Sequence, residues 1–322
     1  MEKLKKLVSK NGDNSMLLLI LVVSTALVTL VQPNFFSFGT LKSVAYQIPE
    51  MGLLTIAMAI TMLVGGINLS VIASANLSGI VMALIMTRSI PEGSDNIPVV
   101  LLAVLAGILV SVAAGAINGL IIANFKIPDM LATLGTQLLF NGICLAITRG
   151  ATISGYPDSF KFIGNNTLAG IPTAVYIFIL ALVVLAILLQ RTPYGPRAHL
   201  YGSNKVATVF SGVDEKSLIV KTYSISGLFV GLAAVILTSR FNAAAPGYAS
   251  SYLMQTILIA VLGGVNPNGG HGKVSGIILG VLIFQVVGSG LNILRLNSHL
   301  TTAIYGVILL LAVTVRMLRT AK

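Results

Sequence analysis

Ser203-Asn204-Lys205-Val206-Ala207-Thr208-Val209-Phe210-Ser211-Gly212 lies in a polar interval, Arg191 to Lys221, set between two long apolar segments. The interval carries Arg191, Arg197, Lys205, Lys216 and Lys221, a dense group of positive charge. The quoted stretch predicts a short helix. Ser203 can cap its first turn, and Gly212 suits the left-handed stop after its last. Val206, Val209 and Phe210 recur at i, i+3 and i+4, so they share one face. Covering each such side chain is worth about 1.5–3 kcal/mol. The pattern alone leaves two uses for that face: a groove in a partner protein, or the headgroup layer of a membrane.

Working outward, the rest of the chain is strongly apolar. Of 322 residues, 56% are hydrophobic and 9% charged, against about 25% charged in a soluble domain. The composition is that of an integral membrane protein. The net charge of +11 does not imply nucleic acid, which needs a clustered basic face on a soluble fold. Here the positive residues punctuate apolar runs. The lone cysteine, Cys144, excludes a disulfide within the chain and Cys-based metal sites. His199, His271 and His299 fall in separate polar connections with no ligand spacing.

Apolar runs occupy roughly 16–31, 48–64, 71–87, 98–123, 130–148, 172–190, 222–240, 252–264, 274–294 and 300–318. Most reach the roughly 20 residues that a helix needs to cross hydrocarbon. The run 252–264 is short, and short spans beside glycines mark broken or re-entrant helices near a transport path. The first run follows a lysine-rich start and has no small-residue cleavage site after it, so it reads as a retained span. About ten spans, with both termini cytoplasmic, would make an all-α, polytopic integral membrane protein. The whole chain, 1–322, then reads as one transmembrane domain with a cytoplasmic loop at about 191–221. The charge count agrees with this topology. Inward segments hold 14 Lys and Arg residues and outward segments (Lys42, Arg88, Arg149, Lys161, Arg240, Arg295) hold six.

No acid is expected deep in a span. Glu50 stands beside Pro49 at the start of the second run, where a helix N-terminus favours negative charge. Asp129 follows Pro128 in an inward turn. A proton- or sodium-driven carrier commonly spends an intramembrane carboxylate on its coupling ion. This chain therefore reads as driven from elsewhere. Amides at membrane depth are Asn76, Asn118, Gln137, Asn141, Gln255 and Gln285; such groups tie helices together or line a solute path. Small residues, as in Ser111-Val-Ala-Ala-Gly-Ala-Ile-Asn-Gly119, allow helices to approach closely. Leu63-Val-Gly-Gly-Ile-Asn68 and Val261-Leu-Gly-Gly-Val-Asn266 share a phrase, readable as bent elements beside a gate or as ordinary helix stops.

Gly269-Gly-His-Gly-Lys273 falls short of a phosphate-binding loop, because Pro267 stands where the first glycine belongs and Val274 replaces the hydroxyl. No nucleophile elbow and no His-Glu-x-x-His occurs, so no catalytic or metal site is expected. Asn165-Asn-Thr167 fits a glycosylation acceptor.

In sequence order the chain carries Gly66-Ile-Asn-Leu-Ser-Val71, Thr133-Leu-Gly-Thr136, Arg191-Thr-Pro-Tyr-Gly195, Tyr201-Gly-Ser-Asn204 with Ser211-Gly212, Val261-Leu-Gly-Gly264, Gly269-Gly270 and Gly290-Leu-Asn-Ile-Leu294. As a set these resemble the membrane-spanning permease subunits of bacterial ribose-type sugar importers, in the ATP-binding-cassette superfamily. The resemblance runs from roughly Pro33 to Leu311. It implies a bacterial inner-membrane protein working with a second permease subunit, a cytoplasmic ATPase that binds ATP and magnesium, and an extracytoplasmic sugar-binding protein. This chain itself needs no cofactor. Ser203, Asn204, Ala207, Phe210 and Gly212 then look like the coupling segment that docks on the ATPase. Asn68, Ser70 and Asn76 are candidates for the path or gate. Outward cations such as Arg149, Lys161 and Arg240 are either partners for acids on the binding protein or solvated loop charges. Three positions depart from the family pattern: Asn68 replaces an aspartate, Ile72 a glycine, and Val209 an arginine often found before Leu-Ser-Gly. The alternative reading is a stand-alone carrier or facilitator; a membrane enzyme lacks candidate chemistry.

Overall fold

In hydrocarbon every backbone N–H and C=O must be satisfied within the protein, which makes helices of the apolar runs. The computed structural model describes residues 12–31, 33–91, 93–293, 300, 301, 303–308 and 310. The lysine-rich start, Arg295, His299 and the end of the run 300–318 lie outside the described residues. The helices are α1 (Gly12–Val31), α2 (Phe38–Leu63), α3 (Val71–Ser89), α4 (Ile97–Phe125), α5 (Asp129–Thr148), α6 (Asp158–Asn165), α7 (Thr173–Arg191), α8 (Tyr194–Ser203), α9 (Lys205–Phe210), α10 (Glu215–Phe241), α11 (Tyr252–Leu262) and α12 (Val274–Ile293). Seven of the described helices (α2, α3, α4, α5, α7, α10 and α12) are long and apolar enough to cross a membrane, while α11 has only 11 residues. The chain is an all-α, multi-pass membrane protein.

Burial separates the helices into two sets. The apolar windows of α2, α3 and α10 are 72, 67 and 67% buried, whereas those of α4, α5 and α7 are each 28% buried. The first three form the centre, and the second set turns wide apolar faces outward to lipid. Close approach at the centre comes from glycine. Gly115 and Gly119 of α4 lie against the α10 backbone at Tyr223 and Val220, and Gly227 and Gly231 of α10 lie against the α4 backbone at Ser111 and Ile108, two small-xxx-small runs that bring backbone to backbone. A Cβ on Gly119 would meet Val220 Cα at 2.7 Å, and one on Gly227 would meet Val112 Cα at 2.9 Å.

The loops sort to two ends, as the charge count divides them. At the inner end the Gly270 N–H donates to Leu63 O at 2.9 Å, Thr133 Oγ1 donates to Ile67 O at 3.0 Å, and His199 Nε2 lies 3.1 Å from Gly272 O. At the outer end Ser159 Oγ donates to Asp95 Oδ1 at 2.5 Å and the Tyr46 hydroxyl donates to Asn165 O at 2.9 Å. There β1 (Ile153–Ser154) pairs antiparallel with β4 (Ala243–Ala244), and β2 (Thr167–Leu168) with β3 (Ile171–Pro172).

Two expectations change. The second span does not begin near Ile48: α2 starts at Phe38, capped by Ser37, whose hydroxyl accepts from the Thr40 N–H at 3.3 Å. Pro49 therefore lies inside the helix. Asn165 donates one of its two side-chain N–H groups to Ser239 O at 3.0 Å. His199 is not a loop residue but part of α8.

Candidate functional site

The polar interval forms two helices where the sequence predicts one. Asn204, with extended backbone at φ −154° and ψ 99°, ends α8 and caps α9, its side chain accepting from the Ala207 N–H at 3.0 Å. Ser203 is thus not the cap. It is the last residue of α8, and its hydroxyl donates back to His199 O at 2.9 Å. Gly212 takes φ +83°, the left-handed stop expected of it. On α9 the Thr208 side is buried, whereas Val206, Val209 and Phe210 are 66, 44 and 88% exposed. Ala207 lies exposed beside them. The predicted face exists, and no described residue covers it.

Below α9 the ionisable groups are organised. The Tyr201 hydroxyl donates to Glu215 Oε1 at 2.5 Å, and Lys205 Nζ stands 5.5 Å from the centre of the Tyr201 ring. Burial, and then the Glu215 carboxylate, push the Tyr201 phenol well above its ordinary range. Further in, the Tyr223 hydroxyl and Asp129 both press on Gly66. A Cβ there would stand 2.6 Å from Tyr223 Oη and 3.0 Å from Asp129 Oδ2.

Asn68 and Ser70 are brought together, but not on an open path. Asn68 Oδ1 accepts from the Ser70 N–H at 3.1 Å and from the Ser70 hydroxyl at 2.8 Å. Asn118 Nδ2 donates to Ser70 Oγ at 2.7 Å, and Thr136 Oγ1 donates to Asn118 Oδ1 at 2.5 Å. All four side chains are buried. This string ties the 64–70 turn to α4 and α5. Asn68 contributes a neutral acceptor here, where an aspartate would bring a buried charge. The two Gly-Gly phrases both behave as helix stops: Gly65 at φ +81° and Gly264 at φ +85° follow the last turns of α2 and α11.

Asn76 lies elsewhere, toward the outer end. Its Nδ2 donates to Tyr248 O at 3.0 Å. It lines a cleft with Gly79, Thr238 and Tyr248 whose volume is about 20 Å³, room for about one water. Of the other amides, Gln285 Nε2 donates to Gln47 Oε1 at 2.7 Å and joins α12 to α2.

Sequence reasoning missed the charge in the outer half of the bundle. Glu50 is 1% exposed and lies inside α2, not at its start. Arg240 Nη1 meets Glu50 Oε1 at 2.7 Å. Arg240 is therefore spent within the chain, whereas Lys161 pairs with Asp158 at 2.6 Å only at the exposed surface. The buried Glu50 removes the premise that no acid lies deep in a span. Its charge is nonetheless compensated by Arg240, unlike a carboxylate held open for a coupling ion. The overlooked signal was Pro49: it marks a boundary in soluble helices but is tolerated inside membrane helices. Among the described residues no three of His, Cys, Asp and Glu gather as metal ligands.

Long apolar helices packed around a small-residue centre, with a short helix at the inner end that exposes Val206, Val209 and Phe210, define a multi-pass membrane protein. The pattern of the family described as branched-chain amino acid transport system, permease component, matches residues 40–313. The chain belongs to that permease family. It is 34% identical to the ribose import permease protein of Bacillus subtilis (strain 168), over 92% of this chain and 89% of that one. It is 31% identical to the ribose import permease protein of Escherichia coli (strain K12), over 92% of each. With the D-allose transport system permease protein of the same organism it shares 30% identity over 91% of this chain and 88% of the relative. No solved structure matches.

Proposed function

We propose that the chain is the membrane-spanning permease subunit of an ATP-driven importer for a monosaccharide, resident in a bacterial inner membrane with its inner end in the cytosol. The similarity to ribose and allose permeases supports the sugar class. The observation that carries the coupling is the bare face of α9: Phe210, 88% exposed, beside Val206 and Val209. Helix-in-groove recognition uses an i, i+3, i+4 face of this kind.

The partner is a separate cytoplasmic ATPase, which binds ATP and magnesium in its own site. Ser203, Asn204, Ala207, Phe210 and Gly212 form the segment it grips: Asn204 and Gly212 fix the two ends, Ala207 allows close approach, and Phe210 enters the groove. A second permease subunit completes the membrane core. An extracytoplasmic sugar-binding protein supplies the solute, so the path itself needs only weak contacts. Each nucleotide state must favour one arrangement of the bundle over the other. The cleft at Asn76 holds about 20 Å³, room for about one water.

Copurification with the ATPase tests this. Phe210→Asp is expected to weaken assembly at least tenfold and to abolish ATP-fuelled uptake of D-ribose, D-allose or L-arabinose into vesicles. An undiminished complex with unaltered uptake overturns the coupling. Uptake that survives ATP removal and follows an ion gradient would make the chain a stand-alone carrier instead.

A further inference from the structure

Glu50 presents a carboxylate at a depth where charge is costly and, when kept, usually functional. One of its oxygens is well provided for. Oε1 meets Arg240 Nη1 at 2.7 Å and accepts from the Tyr252 hydroxyl at 3.3 Å. Arg240 Nη1 also donates to Tyr46 O at 3.3 Å. The other oxygen, Oε2, is buried and has no hydrogen-bond partner among the described residues. A tie between helices would be complete with Oε1 alone. The second acceptor is surplus to it, and buried polar atoms are ordinarily paired.

The surroundings suit a neutral, hydroxyl-rich molecule. Tyr252 opens α11, the 11-residue helix, and its N-cap Ser251 makes no side-chain capping bond. The N-terminus of this short helix thus begins at the residue that reaches Glu50, with the Tyr252 N–H itself donating to Ala249 O at 2.9 Å. Arg240 also stands 5.4 Å from the Phe241 ring, which packs edge-on against Tyr248 at 5.3 Å. The Tyr248 carbonyl is the acceptor for Asn76 at the cleft. Pair, rings and cleft are therefore contiguous.

We propose that Glu50, Arg240 and Tyr252 form a hydroxyl-binding site for an uncharged polyhydroxylated solute in the outer half of the path. Glu50 Oε2 accepts a solute O–H once the outer end opens. Arg240 stays paired with Oε1, so the solute needs no charge of its own. Tyr252 holds the carboxylate in register and can exchange its long bond for one to the solute. The site rests on the transport reading above and gives that path its first solute contact.

Vesicles containing the chain, its ATPase and the loaded binding protein test the proposal with D-ribose, D-allose and L-arabinose. Glu50→Gln is expected to lower uptake at least tenfold for one of the sugars and to change the ratio of rates among the three, which a general loss of assembled complex would not change. The double variant Glu50→Leu, Arg240→Leu removes both charges without stranding either, and is expected to assemble yet carry no sugar. A double variant that transports at the wild-type rate reduces the pair to packing and overturns the site. Where the double variant does not assemble, Glu50→Gln with unchanged rates and an unchanged ratio overturns it equally. So does uptake that falls in parallel with ATPase activity, with the ratio kept. A wild type that carries none of the three sugars overturns the transport reading itself and the site with it, so the two failures are distinct.

Discussion

A methyl group on Gly66 would stand 2.6 Å from the Tyr223 hydroxyl and 3.0 Å from Asp129 Oδ2. The glycine is therefore required by its neighbours, not by its own backbone angles: positive φ belongs to Gly65 beside it. Gly66→Ala is expected to destabilise the bundle by about 1–3 kcal/mol, the cost of overpacking a filled site, read as a lower melting temperature in detergent. Tyr223→Phe removes the nearer obstacle. The double variant should recover at least half of that loss; no recovery would show that Asp129, not Tyr223, sets the limit. The quoted sequence phrase Gly66-Ile-Asn68 was legible as special, but this reason was not, because Asp129 and Tyr223 come from distant segments.

At the scale of elements, α9 exists because Asn204 interrupts what would otherwise be one longer helix. Its side chain accepts from the Ala207 N–H, and the Thr208 hydroxyl returns to the Asn204 carbonyl at 2.8 Å. With only six residues, α9 is too short to hold itself by backbone bonds alone. Asn204→Ala is expected to cost about 0.5–2 kcal/mol of local stability, as the loss of an N-cap does. Amide exchange at 206–212 should then quicken several-fold, with the spans unaffected; unchanged exchange would mean that tertiary packing, not the cap, holds α9. Sequence placed this helix and its apolar face correctly. It misplaced the cap by one residue, because Ser203 and Asn204 are both good N-caps and only the preceding helix α8 decides between them.

Over the whole molecule, stability depends on how closely α4 and α10 approach. Lipid gives no hydrophobic drive for helices to associate, so van der Waals contact across small residues must supply it. Gly227 lets α10 lie on the backbone at Ser111 and Val112. Gly227→Leu would force the two helices apart and is expected to cost about 3 kcal/mol. The check is thermal melting together with protease sensitivity of the outer loops. A variant with wild-type melting would show that α10 is held by its other neighbours, α2 and α3. The small-residue run Ser111–Gly119 was readable from the chain alone; its partner at Gly227 and Gly231 emerges only when the helices are set side by side.

By itself the sequence determined the helical class, the membrane setting, the division of the loops between two ends, and the apolar face of α9. Each follows from local composition, since hydropathy, charge and helical period act on neighbouring residues. Only the tertiary structure decided that Glu50 lies inside a helix and is answered by Arg240, that Asn68 and Ser70 sit in a buried string, and that Asn76 belongs to a different region. Those outcomes rest on groups far apart in the chain that share one small, low-dielectric space, where a polar atom must find whichever partner the packing brings.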